Sequence, residues 1–428
     1  MQNEYKVNSY KYLWAASIVL LVALGIRLYL VPLPGHVGDL NCFAQWTKAA
    51  TENGIAFVYK NAFADYPPGI FYILKPVGVI YQGFFSPTFE DAIILRMLLK
   101  IIFTIVDLVT AAMLFFFLRT QESEHFAFWS MTFYALNPAI IYESAYWGQA
   151  DSMNTFFMLA SVLFLMRQRI VLSWIMLTLA ILIKMHALIL VPLIIFVSWK
   201  NHSWKRLLKA GTLSLLVTLI VLLPFIYHGQ MRYVKHSYTK AVDSYPYISV
   251  NAFNLWWLMN PLEIQKKGYG YKEGIRDERS IVGITYKQLG LLFLAGFTLF
   301  ILLILWRNSN PNMIALTASA MAVAYFMLPT QIHERYLFPA LALLSIVHNK
   351  NKHLKIIYGI LSLTFFINLQ VLPFNDPRSS FLTKLINIPT LIPFCSSMVA
   401  LLNVIAFGYL IYTILINYMT ENDKIIQS

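Results

Sequence analysis

Five short stretches of the chain combine acidic, basic or histidine side chains with aromatic residues, although the sequence around them is strongly apolar. They are Gly38–Leu40 followed by Phe43 and Trp46, then 64–68, 147–151, 184–186 and 331–336. A carboxylate can take a proton from a hydroxyl, and Arg, Lys or His can hold a phosphate. Together such side chains could move a group from a phosphate to a hydroxyl.

Each stretch supplies candidates for this chemistry. Asp39 is the candidate catalytic base. The candidate substrate-binding residues are Asp65, Tyr66, Trp147, Gln149, Asp151, Lys184, His186, His333, Glu334, Arg335 and Tyr336. Arg335 suits a phosphate, because a guanidinium group can donate to two oxygens at once. A working site requires Asp39 and Arg335 to share one pocket on one side of the molecule.

Each candidate also has an ordinary structural interpretation. Asp39 and Asp65 lie in sequences typical of turns, and Asp151 could be the N-terminal cap of a helix. Lys184 could extend its ammonium group to the membrane surface. His186 and His333 could be hydrogen-bonded histidines at helix ends, and Glu334 could form a local ion pair with Arg335. Tyr146, Trp147 and Tyr336 could belong to an aromatic belt at the membrane interface. Their coincidence on one face, rather than any single residue, favours a site.

The elements that must position these residues are membrane-spanning helices. Of 428 residues, 58% are hydrophobic and 12% charged, whereas soluble domains carry roughly 25% charged residues. We predict an all-α, polytopic integral membrane protein that forms a single transmembrane domain over residues 1–428 with about 12 transmembrane helices (11–13). The predicted spans are about 12–31, 92–118, 126–145, 152–166, 170–183, 187–199, 207–227, 287–306, 312–329, 336–348, 354–373 and 393–417.

Two long connections interrupt the predicted spans. Residues 32–91 form a first outer loop, and its moderately apolar piece at 70–85 is predicted to be an interfacial or re-entrant helix. Residues 228–286 form a second long outer loop that is rich in aromatic and Asn residues. Those aromatic rings could stack on sugars or could belong to an amphipathic helix on the membrane surface; the residues are Tyr238, Tyr245, Tyr247, Asn251, Phe253, Asn254, Trp256 and Trp257.

The short loops between spans predict the orientation. With the N-terminus inside, the inner loops hold Arg119, Arg167, Arg169, Lys200, Lys205, Arg206, Lys209, Arg307, Lys350, Lys352 and Lys355. Lys and Arg concentrate on the cytoplasmic side of membrane proteins. We therefore predict a multi-pass protein of the cell membrane with both termini cytoplasmic and the five polar stretches on the outer face. The same loops account for the net charge of +13, so no nucleic-acid partner is predicted.

An active site on the outer face constrains the substrates. Soluble nucleotide-activated donors are scarce outside the cell, so an activated group must arrive on a lipid carrier in the bilayer. The predicted partners are a polyprenyl-phosphate-linked sugar donor and a glycan or glycolipid acceptor. Asp39 would take the proton of the acceptor hydroxyl while the lipid phosphate leaves.

Three ionisable residues lie deeper, on the second predicted span. Arg96, Lys100 and Asp107 have spacings of four and seven residues and therefore share one helical stripe. A charge near the middle of a membrane must be paired or face a wet interior. They could hold helices together or line a cavity, and the structural role is favoured.

The order and spacing of the polar stretches resemble the GT-C superfamily of polyprenyl-phosphate-sugar glycosyltransferases, and within it bacterial membrane proteins related to the glycosylphosphatidylinositol mannosyltransferases. The resemblance rests on Asp39 with Phe43 and Trp46, on 65–68, on Leu136-Asn137-Pro138 leading into 147–151, on Lys184 before Pro192, on 251–256 and on 333–339. It implies that Asp39 is the catalytic base, that Asp65 and Asp151 position substrate, and that 333–335 lie by the donor phosphate. Residue 143 is Glu, where a small or polar residue is expected.

We therefore predict an inverting glycosyltransferase that moves a mannose-like or glucose-like hexose from a polyprenyl-phosphate carrier to a cell-surface glycan, wall polymer or glycolipid. Most enzymes of this kind need no metal, so no cofactor is predicted. The three predicted outer carboxylates could nonetheless hold a metal ion. One alternative is a lipid-linked oligosaccharide polymerase or ligase, which would depend on Arg and His rather than on a first-loop Asp. The other is a lipid or glycan transporter (flippase), which would place its key charges near the midplane.

Overall fold

The computed structural model describes residues 2–89, 92–259, 274–371 and 391–427, and its regular structure is almost entirely helical. The helices are α1 Gln2–Leu30, α2 Val37–Glu52, α3 Val58–Asn61, α4 Gly69–Phe84, α5 Ala92–Leu118, α6 Glu124–Ala135, α7 Pro138–Ile141, α8 Asp151–Met166, α9 Ile170–Ile183, α10 Val191–Asn201, α11 Trp204–Tyr227, α12 Met231–Asp243, α13 Tyr286–Arg307, α14 Pro311–Met327, α15 Phe338–Leu344, α16 Lys352–Val371 and α17 Leu391–Gln427. Shorter elements are 3-10 turns at Ile55–Phe57, Met185–Leu190, Leu255–Met259 and His348–Lys350, a π-helical turn at Tyr142–Trp147, and an antiparallel hairpin of β1 Ser280–Ile281 and β2 Ile284–Thr285.

Within the described ranges, five helices are long and apolar enough to cross a bilayer: Tyr10–Leu30, Ile93–Leu118, Trp204–Tyr227, Tyr286–Arg307 and Cys395–Thr420. Shorter apolar helices are Asp151–Met166, Ile170–Ile183, Met185–Asn201 and Pro311–Met327. Large apolar side chains such as Leu21 and Leu303 are exposed on the long helices, and lipid would cover that surface. The chain is a multi-pass membrane protein, while the total of about twelve spans stays a prediction.

The span predicted at 126–145 is not one straight helix. Proline lacks an N–H and disfavours helix in the residue before it, so α6 ends shortly before Pro138. The side chain of Asn137 caps α7 by accepting a backbone N–H at 3.0 Å. The π-helical turn over 142–147 then ends at Gly148, whose φ of 85° is left-handed. These interruptions bend the chain where the candidate residues begin.

The span predicted at 336–348 is helical only over α15, Phe338–Leu344. All residues of α15 are buried, because α8, α14 and α16 surround it. A helix that is enclosed by protein on every side does not need to be long enough to span the bilayer, because its ends can turn within the protein. The short helix brings residues 333–336 to the rim of the core.

The long connection between α1 and α5 is a folded layer of short helices. α2 and α4 pack on each other and on α5, with Phe43, Trp46 and Phe71 at the centre of their hydrophobic cluster. α4 coincides with the helix predicted at 70–85. A Cβ at Gly69 would lie 2.5 Å from a backbone oxygen of α9, so the absence of a side chain at Gly69 allows α4 to approach α9 closely.

The second long loop contains α12, the Leu255–Met259 turn and the hairpin, and residues 260–273 lie outside the described part of the chain. Val250 N–H donates to Ile332 O at 2.9 Å, which ties this loop to one of the polar stretches. Trp256 and Trp257 are buried, and Trp256 Nε1 donates to Leu328 O at 2.7 Å. Trp257 Nε1 donates to Ser396 Oγ of α17 at 3.1 Å. The two rings therefore pack the loop onto the end of α14 and onto α17, so neither stacks on a sugar or lies on a membrane surface.

The deep charged stripe holds helices together. Arg27 Nη2 lies 3.7 Å from Asp107 Oδ2, and both side chains are fully buried. Arg27 Nη1 also donates to Ala135 O at 2.7 Å, so the pair joins α1, α5 and α6. Lys100 Nζ donates to Leu33 O at 2.6 Å, which anchors the end of α1 to α5. These contacts agree with the structural role favoured for the stripe.

Candidate active site

Asp39 lies in the first turn of α2, where its carboxylate faces the segment after the π-helical turn. Its Oδ2 accepts hydrogen bonds from Trp147 Nε1 at 2.8 Å and from Gln149 Nε2 at 2.5 Å. The side chain of Asp39 is 23% exposed, so part of the carboxylate stays accessible. Two polar stretches that are far apart in the sequence therefore meet at one carboxylate oxygen.

His36 completes the surroundings of Asp39, and the sequence analysis missed it. Its Nδ1 accepts the backbone N–H of Asp39 at 3.2 Å, which caps α2, and it also lies 3.2 Å from Asp39 Oδ2. The His36 ring stacks on Trp147 with centroids 4.7 Å apart. The available signal was positional, because a polar residue just before the first turn of a helix is a candidate cap.

Arg335 approaches Asp39 from another side. Its Nη1 lies 4.0 Å from Asp39 Oδ2 and donates to Glu334 Oε1 at 2.9 Å. Burial disfavours the charged guanidinium, but Asp39 and Glu334 outweigh that effect and hold the pKa of Arg335 above its usual value. Its Nε is buried and makes no hydrogen bond to the described residues. Arg335 is therefore positively charged and has one N–H that could donate to a further acceptor.

The pKa of Asp39 reflects these neighbours. Burial alone would raise it, whereas the positive charge of Arg335 and the contacts from His36 and Trp147 lower it, and the net pKa is well below the usual range. Asp39 is therefore ionised at physiological pH. Its affinity for a proton would rise if Arg335 moved to another anion, because a nearby cation is what most stabilises the charged form.

Asp151 is the first residue of α8, and its carboxylate binds Lys184. Lys184 Nζ lies 2.7 Å from Asp151 Oδ1 and 2.8 Å from Oδ2, and both side chains are buried. The N-cap position belongs to Ala150, which makes no side-chain capping bond, so the capping interpretation of Asp151 is wrong. The pairing also excludes an ammonium group of Lys184 that extends to the membrane surface.

Lys184 separates α9 from the Met185–Leu190 turn with an extended backbone, φ −154° and ψ 136°. Its Nζ lies 5.2 Å from the ring centroid of Tyr66 and 5.3 Å from that of Tyr336. Burial lowers the pKa of Lys184, and Asp151 opposes that shift. The Tyr66 O–H donates to Gln149 Oε1 at 3.3 Å. Gln149 is also a donor to Asp39, so Tyr66 links the surroundings of Lys184 to those of Asp39.

Two histidines surround Tyr336. The ring centroids of His186 and His333 lie 3.7 Å and 5.2 Å from that of Tyr336. Burial, reinforced by Arg335 and Lys184, lowers the pKa of His333 well below its usual value. A neutral imidazole still offers one N–H donor, so His333 could bind a phosphate oxygen without carrying charge.

A cavity of about 280 Å³ lies beside Arg335. Among the described residues its walls carry Asp65, Lys184 and Arg335, together with the rings of Tyr66, Tyr245, His186, Tyr325, His333 and Tyr336. Burial raises the pKa of Asp65, while Arg335 and Lys184 oppose that shift. Asp39 lies 4.0 Å from Arg335 but is not one of the residues that line the cavity. The expectation that Asp39 and Arg335 share one pocket is therefore not met by this cavity alone, although the two side chains are neighbours. Cations and aromatic faces next to carboxylates are suited to a phosphorylated sugar.

Glu143 is a second residue that the sequence analysis did not place in the site. It lies in the π-helical turn with no exposed surface, and neither carboxylate oxygen makes a hydrogen bond to the described residues. It interacts electrostatically with the Asp151–Lys184 pair. The only signal in the sequence was that an acid stands where the resemblance led us to expect a small or polar residue.

All twelve candidates from the sequence lie within one connected group of contacts and cavity walls. Within the described ranges, no group of three or more His, Cys, Asp or Glu side chains is arranged as metal ligands. The arrangement offers a carboxylate, a guanidinium group, an ammonium group and a sugar-sized space. This geometry suits displacement of a phosphate by a hydroxyl.

Comparisons with known proteins concern the family and the fold of the chain. The model of the family described as ALG3 protein, a GT-C family of mannosyltransferases that use dolichyl-phosphate mannose, matches residues 77–243. That range contains two of the five polar stretches, 147–151 and 184–186, whereas Asp39, Asp65 and residues 331–336 lie outside it. No curated protein matches the chain.

Among solved structures, the chain is similar to the crystal structure of ArnT from Cupriavidus metallidurans bound to undecaprenyl phosphate. The TM-score is 0.52 and the sequence identity 13%, and the match covers 93% of this chain and 76% of that one. At this identity the likeness concerns the fold.

Proposed function

We propose that the chain is a GT-C glycosyltransferase that moves a hexose from a polyprenyl phosphate to a hydroxyl with inversion at the anomeric carbon. The family-model match over residues 77–243 and the fold likeness to ArnT support this proposal. The observation that carries the proposal is the 4.0 Å approach of Arg335 to Asp39 beside the aromatic cavity. A base and a phosphate-binding cation are the two groups that such a transfer needs.

The donor phosphate binds at Arg335, with Lys184 and His333 as further donors. Arg335 has a buried Nε without a hydrogen-bond partner among the described residues, and the other two line the same cavity. The hexose then lies among Tyr66, Tyr336 and the remaining rings. ArnT binds undecaprenyl phosphate, and a phosphate of that kind is what this donor would leave behind.

In the reaction, Asp39 takes the proton of the acceptor hydroxyl as its oxygen attacks the anomeric carbon. The bond between that carbon and the phosphate oxygen breaks, and the lipid phosphate leaves with the electron pair. The guanidinium group of Arg335 moves away from Asp39 and binds the phosphate. Losing this cation raises the proton affinity of Asp39 at the step that requires it.

The site faces the outside of the cell membrane, and both termini are cytoplasmic. The basic loops support this orientation, because Lys and Arg cluster at the opposite ends of the helices from the site. The acceptor is a cell-surface glycan, wall polymer or glycolipid. The sugar is a mannose-like or glucose-like hexose.

Replacing Asp39 with Asn tests the assignment of the base. Purified Asp39→Asn should lose at least about 99% of sugar transfer from a polyprenyl-phosphate hexose, since general-base catalysis contributes roughly 100-fold or more. Lipid binding and the melting temperature should change little. Glu52→Gln, at the exposed far end of the same helix, is the matched control and should stay active. Near-full turnover by Asp39→Asn would show that another group is the base.

A further inference from the structure

Glu143 lies in the π-helical turn, and its side chain has no exposed surface. Neither of its carboxyl oxygens receives a hydrogen bond from the described residues. Its backbone oxygen is engaged, because the N–H groups of Gly148 and Gln149 donate to it at 3.0 Å and 3.1 Å. Turns of this kind are frequent at functional sites. The turn therefore holds a buried acid next to the segment that contacts Asp39.

Asp151, Lys184 and Arg335 are the charged groups that interact most strongly with Glu143. Both cations are already bound to another acid. Lys184 contacts the two oxygens of Asp151 at 2.7 Å and 2.8 Å, and Arg335 donates to Glu334 at 2.9 Å. The carboxyl group of Asp151 is itself within hydrogen-bonding reach of Glu143. Two ionised carboxylates cannot hydrogen-bond to each other, since neither has a donor.

The main elements packed on the π-helical turn are α1, α5 and α7, and their described residues supply no further cation to Glu143. Arg27 of α1 and Asp107 of α5 pair with each other, and Lys100 of α5 donates to backbone oxygens just after α1. α7 has no ionisable side chain. A buried carboxylate without a cation is costly, so a proton is what neutralises Glu143.

We propose that Glu143 and Asp151 share one proton, and that this proton prepares Lys184 to bind the donor phosphate. Glu143 is a positioning residue, because it does not line the cavity and acts through Asp151 and Lys184. The inference rests on the proposed function, since that function assigns the phosphate to Lys184 and Arg335. It adds a role for an acid that the proposed reaction does not use.

The charge of this group matters because the donor is an anion. Asp151 and Lys184 together are neutral, so an ionised Glu143 would give the three residues a net negative charge beside the cavity. That charge would repel a phosphate strongly, since water screens little in a buried site. Two carboxyl groups in contact avoid ionising together by holding one proton between them. The three residues are then neutral.

The same proton changes the hydrogen bonding of Lys184. Its ammonium group has three N–H donors, and it contacts both oxygens of Asp151. A hydrogen bond from protonated Glu143 to one of those oxygens weakens the hold of Asp151 on the ammonium group. Lys184 can then turn an N–H to the phosphate while its other contact with Asp151 keeps it in place. The proton moves between two carboxyl oxygens, and no bond of the donor or acceptor is involved.

Infrared spectroscopy of the full-length protein in lipid nanodiscs at neutral pH tests the shared proton. A neutral carboxylic acid has a carbonyl stretch that a carboxylate lacks. The wild-type spectrum minus that of Glu143→Gln should contain this band, and a difference spectrum without it would overturn the proposal. Glu52→Gln is the matched control, because Glu52 is exposed near Lys48 and its replacement should remove a carboxylate instead.

Addition of undecaprenyl phosphate gives a second spectrum that does not depend on the folding of a variant. When Lys184 turns to the phosphate, the hydrogen bonds of the acid pair change, so the neutral-acid band of the wild type should shift. The part of the shift that Glu143→Gln abolishes belongs to this pair. A wild-type band that stays in place when the lipid binds would contradict the link between Glu143 and Lys184.

Equilibrium binding of undecaprenyl phosphate in the same nanodiscs tests the effect on the donor. Glu143→Leu has no donor for Asp151 and should bind the lipid about tenfold more weakly, the loss expected for one hydrogen bond to a charged group. In transfer assays it should raise the KM for the lipid donor with little change in kcat. Glu143→Gln can donate an N–H to Asp151 and should recover most of the lost affinity.

Two further variants serve as controls. Ser144→Ala changes the next residue of the turn, which is equally buried and whose hydroxyl donates to Ile140 O at 3.0 Å, and it should bind the lipid like the wild type. In an Asp151→Asn background, Glu143→Leu should cause no further loss of affinity, because Glu143 acts through Asp151. Additive losses would mean that the two acids act independently and would contradict the shared proton.

The outcomes separate this inference from the proposed function. A wild-type protein that binds no undecaprenyl phosphate would overturn the proposed function, whereas the infrared difference between wild type and Glu143→Gln would still decide the shared proton. If the lipid binds and Glu143→Leu binds it as tightly as the wild type, the positioning role is overturned. Equal losses in Glu143→Leu and Glu143→Gln would show that Glu143 only fills space in the turn, which also overturns it.

Discussion

At the scale of single residues, Asp39 and Asp65 have pKa values that are shifted in opposite directions. Asp39 is stabilised as an anion by Arg335 and neighbouring donors, so its pKa is lowered, whereas burial raises the pKa of Asp65. Enzymes that use paired acids commonly set their pKa values apart in this way. In our proposal Asp39 is the base, and its lowered pKa keeps it in the ionised form that a base requires.

The buried pair of Lys184 and Asp151 yields a prediction about stability. Lys184→Met should lower the free energy of unfolding by about 3–5 kcal/mol, because it leaves the carboxylate of Asp151 buried without its cation. The double variant Lys184→Met/Asp151→Asn removes the charge as well and should recover a large part of that loss. Thermal unfolding of the four proteins of this cycle in detergent measures the coupling.

Activity separates a structural pair from a functional one. If Lys184 contacts the donor phosphate, the double variant should be folded but remain weak in transfer, with a raised KM for the lipid donor. Full recovery of activity would limit the pair to holding α8 against the turn after α9. A single Lys184→Met variant as stable as the wild type would contradict the buried pairing itself.

At the scale of elements, the site forms where helices are interrupted. The chain leaves helical geometry before α7, at the π-helical turn before Gly148, and at Lys184 between α9 and the Met185–Leu190 turn. A regular helix would satisfy its own backbone groups and direct its side chains outward in a fixed rotation. The interruptions instead let Trp147, Gln149 and Lys184 converge on two carboxylates.

Gly148 provides a test of this convergence. Its φ is 85°, and a Cβ would lie 2.5 Å from Leu40 Cδ2, next to Asp39. Gly148→Ala should therefore add a steric clash to the roughly 1–2 kcal/mol cost of a left-handed alanine. We expect a lower melting temperature together with a loss of transfer of tenfold or more, because the fully buried side chain of Leu40, the neighbour of Asp39, must move.

Gly229→Ala is the matched control for backbone strain. Gly229 also has a positive φ, 65°, but a Cβ there would meet no atom within 4 Å. It should cost only the conformational penalty and keep normal activity. Equal effects of the two substitutions on activity would mean that the close contact between Gly148 and α2 is unimportant for the site.

At the scale of the whole molecule, the chain is divided into a basic end and a site end. The contacts of Arg119 with Glu124 and of Lys350 with Glu122 belong to the basic end, while Asp39, Arg335 and the cavity lie at the other. Such a division keeps a polar site within reach of lipid headgroups. It also suits a donor that never leaves the membrane.

The orientation of these ends can be tested by labelling cysteines. In a background without Cys42 and Cys395, Val282→Cys should react with a membrane-impermeant maleimide on intact cells, because Val282 is 97% exposed on the predicted outer side. Lys205→Cys should react only after the cells are permeabilised. The reverse pattern would place the site in the cytoplasm and would contradict a donor on the outer leaflet.

From the sequence alone, the membrane character, the all-α class and the candidate residues could be predicted. Hydropathy adds up along the chain, so a span is visible in any window of suitable length. The polar stretches were recognisable because placing charged side chains in a membrane costs free energy unless they are paired or face a polar cavity. The breaks at 126–145 and 336–348 were hidden, because an apolar run looks the same whether it forms one helix or several pieces.

Only the tertiary structure decided which residues act on one another. The shared Asp39 Oδ2, the pairing of Asp151 with Lys184, and the places of His36 and Glu143 depend on the packing and rotation of helices that are far apart in sequence. Local patterns do not encode those rotations, since each helix presents several faces and the neighbours choose among them. The sequence determined that polar chemistry would gather at one end, and the packing determined its geometry.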